Sequence, residues 1–82
     1  MSEELGTAAI ETLYAQSLDK YKTDYKKLTE LVMMLNWKSW EHNSLGNYEV
    51  SELYADLFYK ARDYGYDHLK DDELSYFWRT LD

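Results

Sequence analysis

IETLYAQSLDKYKTDYKKLTELVMMLNWKS, residues 10–39, is the stretch that decides the fold. Ile10, Leu13, Tyr14, Ser17, Tyr21, Tyr25, Leu28, Leu31, Val32, Leu35 and Ser39 recur in steps of three and four. At about 100° per residue these positions share one broad stripe, the signature of an amphipathic helix. The chain has no proline, so nothing in the stretch is forced to break. The pattern predicts one helix over about residues 7–42, on the order of 50 Å long at about 1.5 Å per residue. The alternative is a break near Ser17 to Lys20, where Ser17 or Asp19 can cap a new helix.

Reading outward, Asn43-Ser44-Leu45-Gly46-Asn47 is the clearest loop, three turn-forming side chains with a glycine. Its length suits a connection between antiparallel helices. A second helix is expected over residues 48–66. Val50, Leu53, Tyr54, Leu57, Phe58, Ala61 and Tyr64 form its apolar face. Gly65 is expected to weaken or end it. Asp67 or Asp71 can cap a short third helix over about residues 72–81, with Leu74, Phe77, Trp78 and Leu81 as its apolar face. Asp72 and Glu73 fall in its first turn, where the helix dipole favours negative charge. The expected fold class is all-α: a long N-terminal helix in an antiparallel hairpin with a second helix, plus a short C-terminal helix. Residues 1–82 form a single small helical bundle. Its expected core is Leu28, Leu31, Val32, Leu35, Val50, Leu53, Leu57, Phe58, Ala61, Leu74, Phe77 and Trp78.

A chain of 82 residues without cysteine has neither a disulfide nor a thiolate metal site to staple a small core. Large side chains or self-association must supply the stability, and nine Tyr, three Trp and two Phe suit both routes. A continuous first helix would leave apolar surface near Leu5, Ala9, Ile10, Leu13 and Tyr14 uncovered, since the second helix reaches along only part of it. Ile10, Leu13, Tyr14, Tyr21 and Tyr25 are therefore the candidate self-association face, with a homodimer as the expected product. Near the end of the same helix, Met33, Met34, Trp37 and Trp40 spread apolar character around the axis. Packing of the third helix there, with Phe77 and Trp78 meeting Trp37 or Trp40, is the structural explanation. A partner-binding surface, with Met adaptable and Trp anchoring, is the functional one.

Charge narrows the partners. The net charge of −7 disfavours direct binding to nucleic acid or to anionic membranes. The excess is uneven: seven acids face five bases in residues 1–43, and nine face four in residues 44–82. Glu49, Glu52, Asp56, Asp63 and Asp67 fall on one narrow arc of the second helix, interrupted by Lys60. Such a row presents the electrostatic surface that a basic nucleic-acid groove accepts. The lysines at 20, 22, 26 and 27 surround Tyr21 and Tyr25, and are expected to pair with Asp19, Asp24 and Glu30.

Catalytic chemistry finds no motif. There is no cysteine nucleophile, no serine elbow and no phosphate-cradling glycine loop. His42 and His68 each lack a second His at helical spacing, so no metal or other cofactor is expected. Residues 63–74 depart from a calcium loop at Gly65 and Leu74. The start of the chain is acidic where a secretory signal would be basic, and the longest apolar run is residues 31–35, so a cytoplasmic location is the expectation. The expected function is a non-enzymatic protein-binding module, an adaptor or inhibitor that self-associates through the first helix. The alternative is an acidic nucleic-acid mimic that blocks a basic DNA- or RNA-binding protein, by analogy with the small inhibitors of phages and mobile elements.

Overall fold

The computed structural model describes residues 6–81, the side chain of Thr7 excepted; Leu5 lies outside them. Four helices follow one another: α1 (Thr7–Tyr21), α2 (Tyr25–Ser44), α3 (Tyr48–His68) and α4 (Asp71–Leu81). No strand occurs among the described residues, and the class is the all-α bundle that the periodicity implies.

The long first helix is divided. α1 stops at Tyr21 and α2 starts at Tyr25, past the Ser17 to Lys20 region. Asp24 makes the break. Its backbone is extended (φ −118°, ψ 99°), and its carboxylate accepts the backbone N–H groups of Lys26 and Lys27 at 3.1 and 3.2 Å. Its own N–H closes the end of α1 on the Tyr21 carbonyl at 2.9 Å. An N-cap that satisfies two orphan donors acts together with the weak helix preference of Thr and Asp to favour the break. The apolar stripe hides this break because the short link keeps the phase, so both pieces still offer their faces to one core. Asp24→Ala should cost about 1 kcal/mol and lower the melting temperature, whereas Asp24→Ser, which keeps a capping oxygen, should recover most of it.

The break lets α1 turn back along the α2–α3 hairpin. Ile10 is buried, and Leu13, Tyr14 and Ser17 come beside Met34 and Leu35 of α2 and Tyr54 of α3. The hairpin itself closes through a Schellman motif. Asn47 N–H reaches the His42 carbonyl at 2.8 Å and Gly46 N–H the Asn43 carbonyl at 3.1 Å, with Gly46 at φ +82°. One turn in from this end the two helices approach at small residues. Ser39 and Ser51 each donate to the other's backbone carbonyl, at 3.0 and 2.8 Å.

α4 returns along the other side of the hairpin, parallel to α2. Tyr76 meets Tyr25 edge-on, with ring centroids 5.3 Å apart. Phe77 is fully buried and sits against Gly65. Gly65 does not end its helix, which runs on to His68; a Cβ there would overlap the Phe77 ring, whose Cε2 and Cε1 would lie 2.6 and 2.8 Å away. The missing side chain is a seat for a ring. Gly65→Ala should cost about 1–2 kcal/mol, because overpacking of about 1–3 kcal/mol exceeds the roughly 1 kcal/mol that Ala gains in a helix interior. In Gly65→Ala/Phe77→Leu the two losses should be less than additive in urea melts, since the smaller side chain vacates the overlap.

Leu69, in the short link to α4, is buried and its N–H bonds to the Gly65 carbonyl at 2.9 Å. Asp71, proposed as a cap, is the first residue of α4 itself, at φ +55°, a left-handed conformation that Asp tolerates better than most side chains. Asp72 and Glu73 share the first turn with it, as the dipole favours.

The core comprises Ile10, Leu28, Leu31, Val32, Leu35, Leu57, Ala61, Leu69 and Phe77, with Val50, Leu53, Phe58 and Leu74 partly buried around it. Trp78 does not join: it is 53% exposed, because α4 turns Leu74 and Phe77 inward and leaves Trp78 on the rim. Phe77 sits against Gly65 and meets Tyr66 edge-on at 5.6 Å, and the ring pairs among the described residues include none between Phe77 and Trp37 or Trp40. The molecule measures 46 × 23 × 15 Å between Cα extremes. A Cα thickness near 15 Å corresponds to two helix layers about 10 Å apart, so few side chains can be covered on all sides.

Candidate partner-binding surface

The outward face of α2 carries the largest apolar side chains left in solvent. Met33, Trp37 and Trp40 are 47%, 65% and 69% exposed and follow one another at steps of four and three. They form a ridge, with Ser44 one turn further on. Met34 is exposed too, but lies on the α1 side of the helix. The ridge borders two recesses. One, of about 210 Å³, is lined by Met33, Asn36, Trp37, Trp40, Phe58 of α3, and Thr80 and Leu81 at the end of α4. The other, of about 400 Å³, is lined by Trp37, Trp40, Glu41, Ser44 and Leu45. Both indoles serve both recesses. α2 is held firmly beneath them, with Leu28, Leu31, Val32 and Leu35 on its opposite side buried.

Around α3 the chemistry changes in bands. Ser51, Leu57, Ala61 and Gly65 face the core. Phe58 and Arg62 follow on the α4 side. The Arg62 guanidinium lies over the rings of Phe58, Tyr59 and Tyr66 at 5.4, 5.0 and 6.0 Å, with its Nε buried and without a hydrogen-bond partner. Tyr48, Tyr59 and Tyr66 form the next, exposed band. Beyond them come Glu49, Glu52, Asp56, Asp63 and Asp67, all exposed and diametrically opposite the core at about 100° per residue. Lys60 is exposed within the row. The ion pairs among the described residues involve none of these five carboxylates.

The lysine cluster is largely occupied by its neighbours. Lys22 pairs with Asp19 at 2.9 Å and Lys27 with Glu30 at 3.7 Å. Asp19 raises the Lys22 pKa, by its hydrogen bond first and its charge second. Lys20 and Lys26 lie over the rings of Tyr21 and Tyr25 at 5.5 and 6.0 Å. Asp24 spends its carboxylate on backbone donors.

Of the five residues assigned to self-association, Ile10 is buried, and Tyr14 and Tyr25 pack against the core of their own molecule. Burial also raises the Tyr14 pKa above its ordinary value. Tyr21 is half-buried, and Leu13 is 51% exposed. The fold-back of α1 thus buries Ile10 and part of Tyr14 and leaves Ala9 and Leu13 exposed. His42 stacks on Tyr54 at 5.5 Å and His68 on Tyr64 at 3.9 Å, the latter with Nδ1 2.9 Å from the Tyr64 carbonyl oxygen. Among the described residues, no three His, Cys, Asp or Glu gather in a geometry that could hold a metal ion. No helix there is long and apolar enough to cross a membrane.

Sequence reasoning missed Leu45, Leu81 and Phe58 as walls of the recesses, and the tyrosine band beside the acidic row. The band was visible as spacings of eleven and seven residues. Leu45 was hidden by its position in a loop. A third apolar recess, about 430 Å³, lies between Tyr66, Asp71, Leu74, Ser75 and Trp78. Comparison with protein-family models, with curated proteins and with solved structures finds no match to the chain.

Proposed function

We propose that this protein is a non-enzymatic binding module that holds another protein on the Trp37–Trp40 surface. The observation that carries the reading is that two adjacent indoles, more than 60% exposed, border two recesses on the outer face of a helix whose inner face is buried. Exposing such side chains is costly in water, and Trp is the residue most enriched among interface anchors. A rigid support limits the entropy lost when they are covered. Adaptor and inhibitor both fit this role, and a cytoplasmic setting suits the acidic, cysteine-free composition.

The second reading, an acidic mimic that occupies a nucleic-acid groove, is favoured by the five carboxylates along α3 that form no ion pair with any described residue. They span about 27 Å at about 1.5 Å per residue. We rank it second because a solvated helix face produces the same row. Self-association comes third, since the fold-back of α1 leaves Leu13 as the most exposed of the side chains first assigned to it.

The test is capture of partners by the tagged chain from a lysate of its native cell, with low- and high-salt washes. A partner retained at high salt by the wild-type chain, and released by Trp37→Ala/Trp40→Ala, supports the Trp surface. A basic partner that leaves as salt rises, and that Glu52→Lys/Asp56→Lys/Asp63→Lys abolishes while the Trp variant keeps it, replaces that reading with the mimic.

A further inference from the structure

α4 shows what the trough between α2 and α3 is built to hold. It lies in that trough as an amphipathic helix, with Phe77 seated on Gly65, Tyr76 against Tyr25, and Leu74 and Leu81 packed at the core margin. Its eleven residues cover about 16 Å, while the twenty of α2 span about 30 Å. Beside Leu81 the trough opens into the recess of about 210 Å³. The same two helices wall it, through Met33, Asn36, Trp37 and Trp40 on one side and Phe58 on the other. A helix running on from the line of α4 would meet the same kind of surface that α4 meets.

The rims say what charge that helix carries. On the α2 side Glu41, beside Trp37 and Trp40, is paired with Lys38, and Glu30 on the same edge is paired with Lys27, so this rim is close to neutral. On the α3 side Tyr59 leads directly to Glu52, Asp56 and Asp63, none of them ion-paired. Of the nearby cations, Lys38 is paired to Glu41 at 3.3 Å, Arg62 is stacked over aromatic rings, and Lys60 stands exposed within the acidic row, leaving Glu52, Asp56 and Asp63 in excess over it. A second copy of this chain would bring a further net charge of −7 to these rims, an unfavourable encounter.

Resting on the reading of the Trp surface above, we propose that the open half of the α2–α3 trough receives a basic amphipathic helix of a partner protein. Its apolar residues, spaced i, i+3 or i+4, and i+7, enter between Trp37, Trp40 and Phe58. Its Lys or Arg residues lie on the α3 flank, toward Glu52 and Asp56. This is the helix-in-groove mode of recognition, with charge setting orientation and choice of partner.

The test is selection from a displayed library of helix-forming peptides about five turns long, in which apolar spacing and flanking charge vary independently. The 82-residue chain is the bait, and Trp37→Ala/Trp40→Ala, its fold checked by circular dichroism, is the counter-selection. The expected winners have helical apolar spacing and Lys or Arg on one flank. They should bind at least tenfold more weakly to the Trp variant, and severalfold more weakly to Glu52→Lys/Asp56→Lys. Trp-dependent winners that are acidic, or extended, would overturn the basic-helix assignment and leave the Trp surface standing. A chain that sediments as a dimer, and becomes monomeric on Trp37→Ala/Trp40→Ala, would give the trough to a second copy and overturn it as well. Enrichment of no Trp-dependent peptide would overturn it too; lysate capture that also shows no Trp-dependent partner would remove the underlying reading.

Discussion

Phe77→Ala should cost about 3–5 kcal/mol, the largest loss from any single truncation in this fold. Phe77 has no exposed surface, and its ring fills the space left by the missing side chain of Gly65. It is the only fully buried side chain of α4. Without it, α4 keeps Tyr76 on Tyr25 and the partly buried Leu74 and Leu81, too little apolar area to hold eleven residues. A domain of this size has about 4–12 kcal/mol in total, so the variant should melt at least about 12 °C lower or be partly unfolded at room temperature. Trp78→Ala, one residue on, should change stability by no more than about 0.5 kcal/mol, because Trp78 stands on the rim. Urea melts of the two variants side by side are the check. Equal losses would mean that α4 docks through its whole aromatic face and not through the Phe77–Gly65 contact.

The pair Trp37→Ala/Trp40→Ala should leave stability within about 1 kcal/mol of wild type and weaken partner binding by about 4 kcal/mol, close to a thousandfold. Each indole, as an interface anchor, contributes about 2 kcal/mol or more. The free protein loses little because both side chains already lie in solvent. That combination separates an interface from a core: a packing role would lower the melting temperature in step with binding. Titration calorimetry with the captured partner, beside thermal melts, reads both. The charge reversal Glu52→Lys/Asp56→Lys/Asp63→Lys should act differently, with a severalfold effect that fades as salt rises.

The bundle class was legible because a helical stripe is a strong signal and a proline-free chain gives it no contradiction. Leu28, Leu31, Val32, Leu35, Leu57, Ala61 and Phe77 could be assigned to the core from spacing alone, and all are buried. The break at Asp24 was not legible in the stripe, since a link that preserves phase leaves periodicity intact. The cue was the Thr23-Asp24 pair itself, whose side chains compete for backbone hydrogen bonds. Gly65 was misread for a related reason: a glycine marks either a helix end or a close approach, and only the position of Phe77 decides between them. On the surface, Trp37 and Trp40 stood out as apolar residues off the main stripe. Whether α4 reached them depended on where its ten-odd residues would lie, which is a matter of tertiary geometry. Leu45 and Leu81 join the surface through the ends of two helices, and no local pattern announces that.

The most direct test of the central claim is fluorine NMR of the chain labelled with 5-fluorotryptophan, which gives one resonance for each of its three Trp residues. Single Trp substitutions assign them, and an unlabelled captured partner is then added to saturation. The Trp37 and Trp40 resonances should shift and lose their sensitivity to exchange of water for heavy water, while that of Trp78 stays where it was. A saturating partner that leaves Trp37 and Trp40 unchanged and solvent-exposed would contradict the account and move the working face elsewhere, with the acidic row of α3 the first place to look.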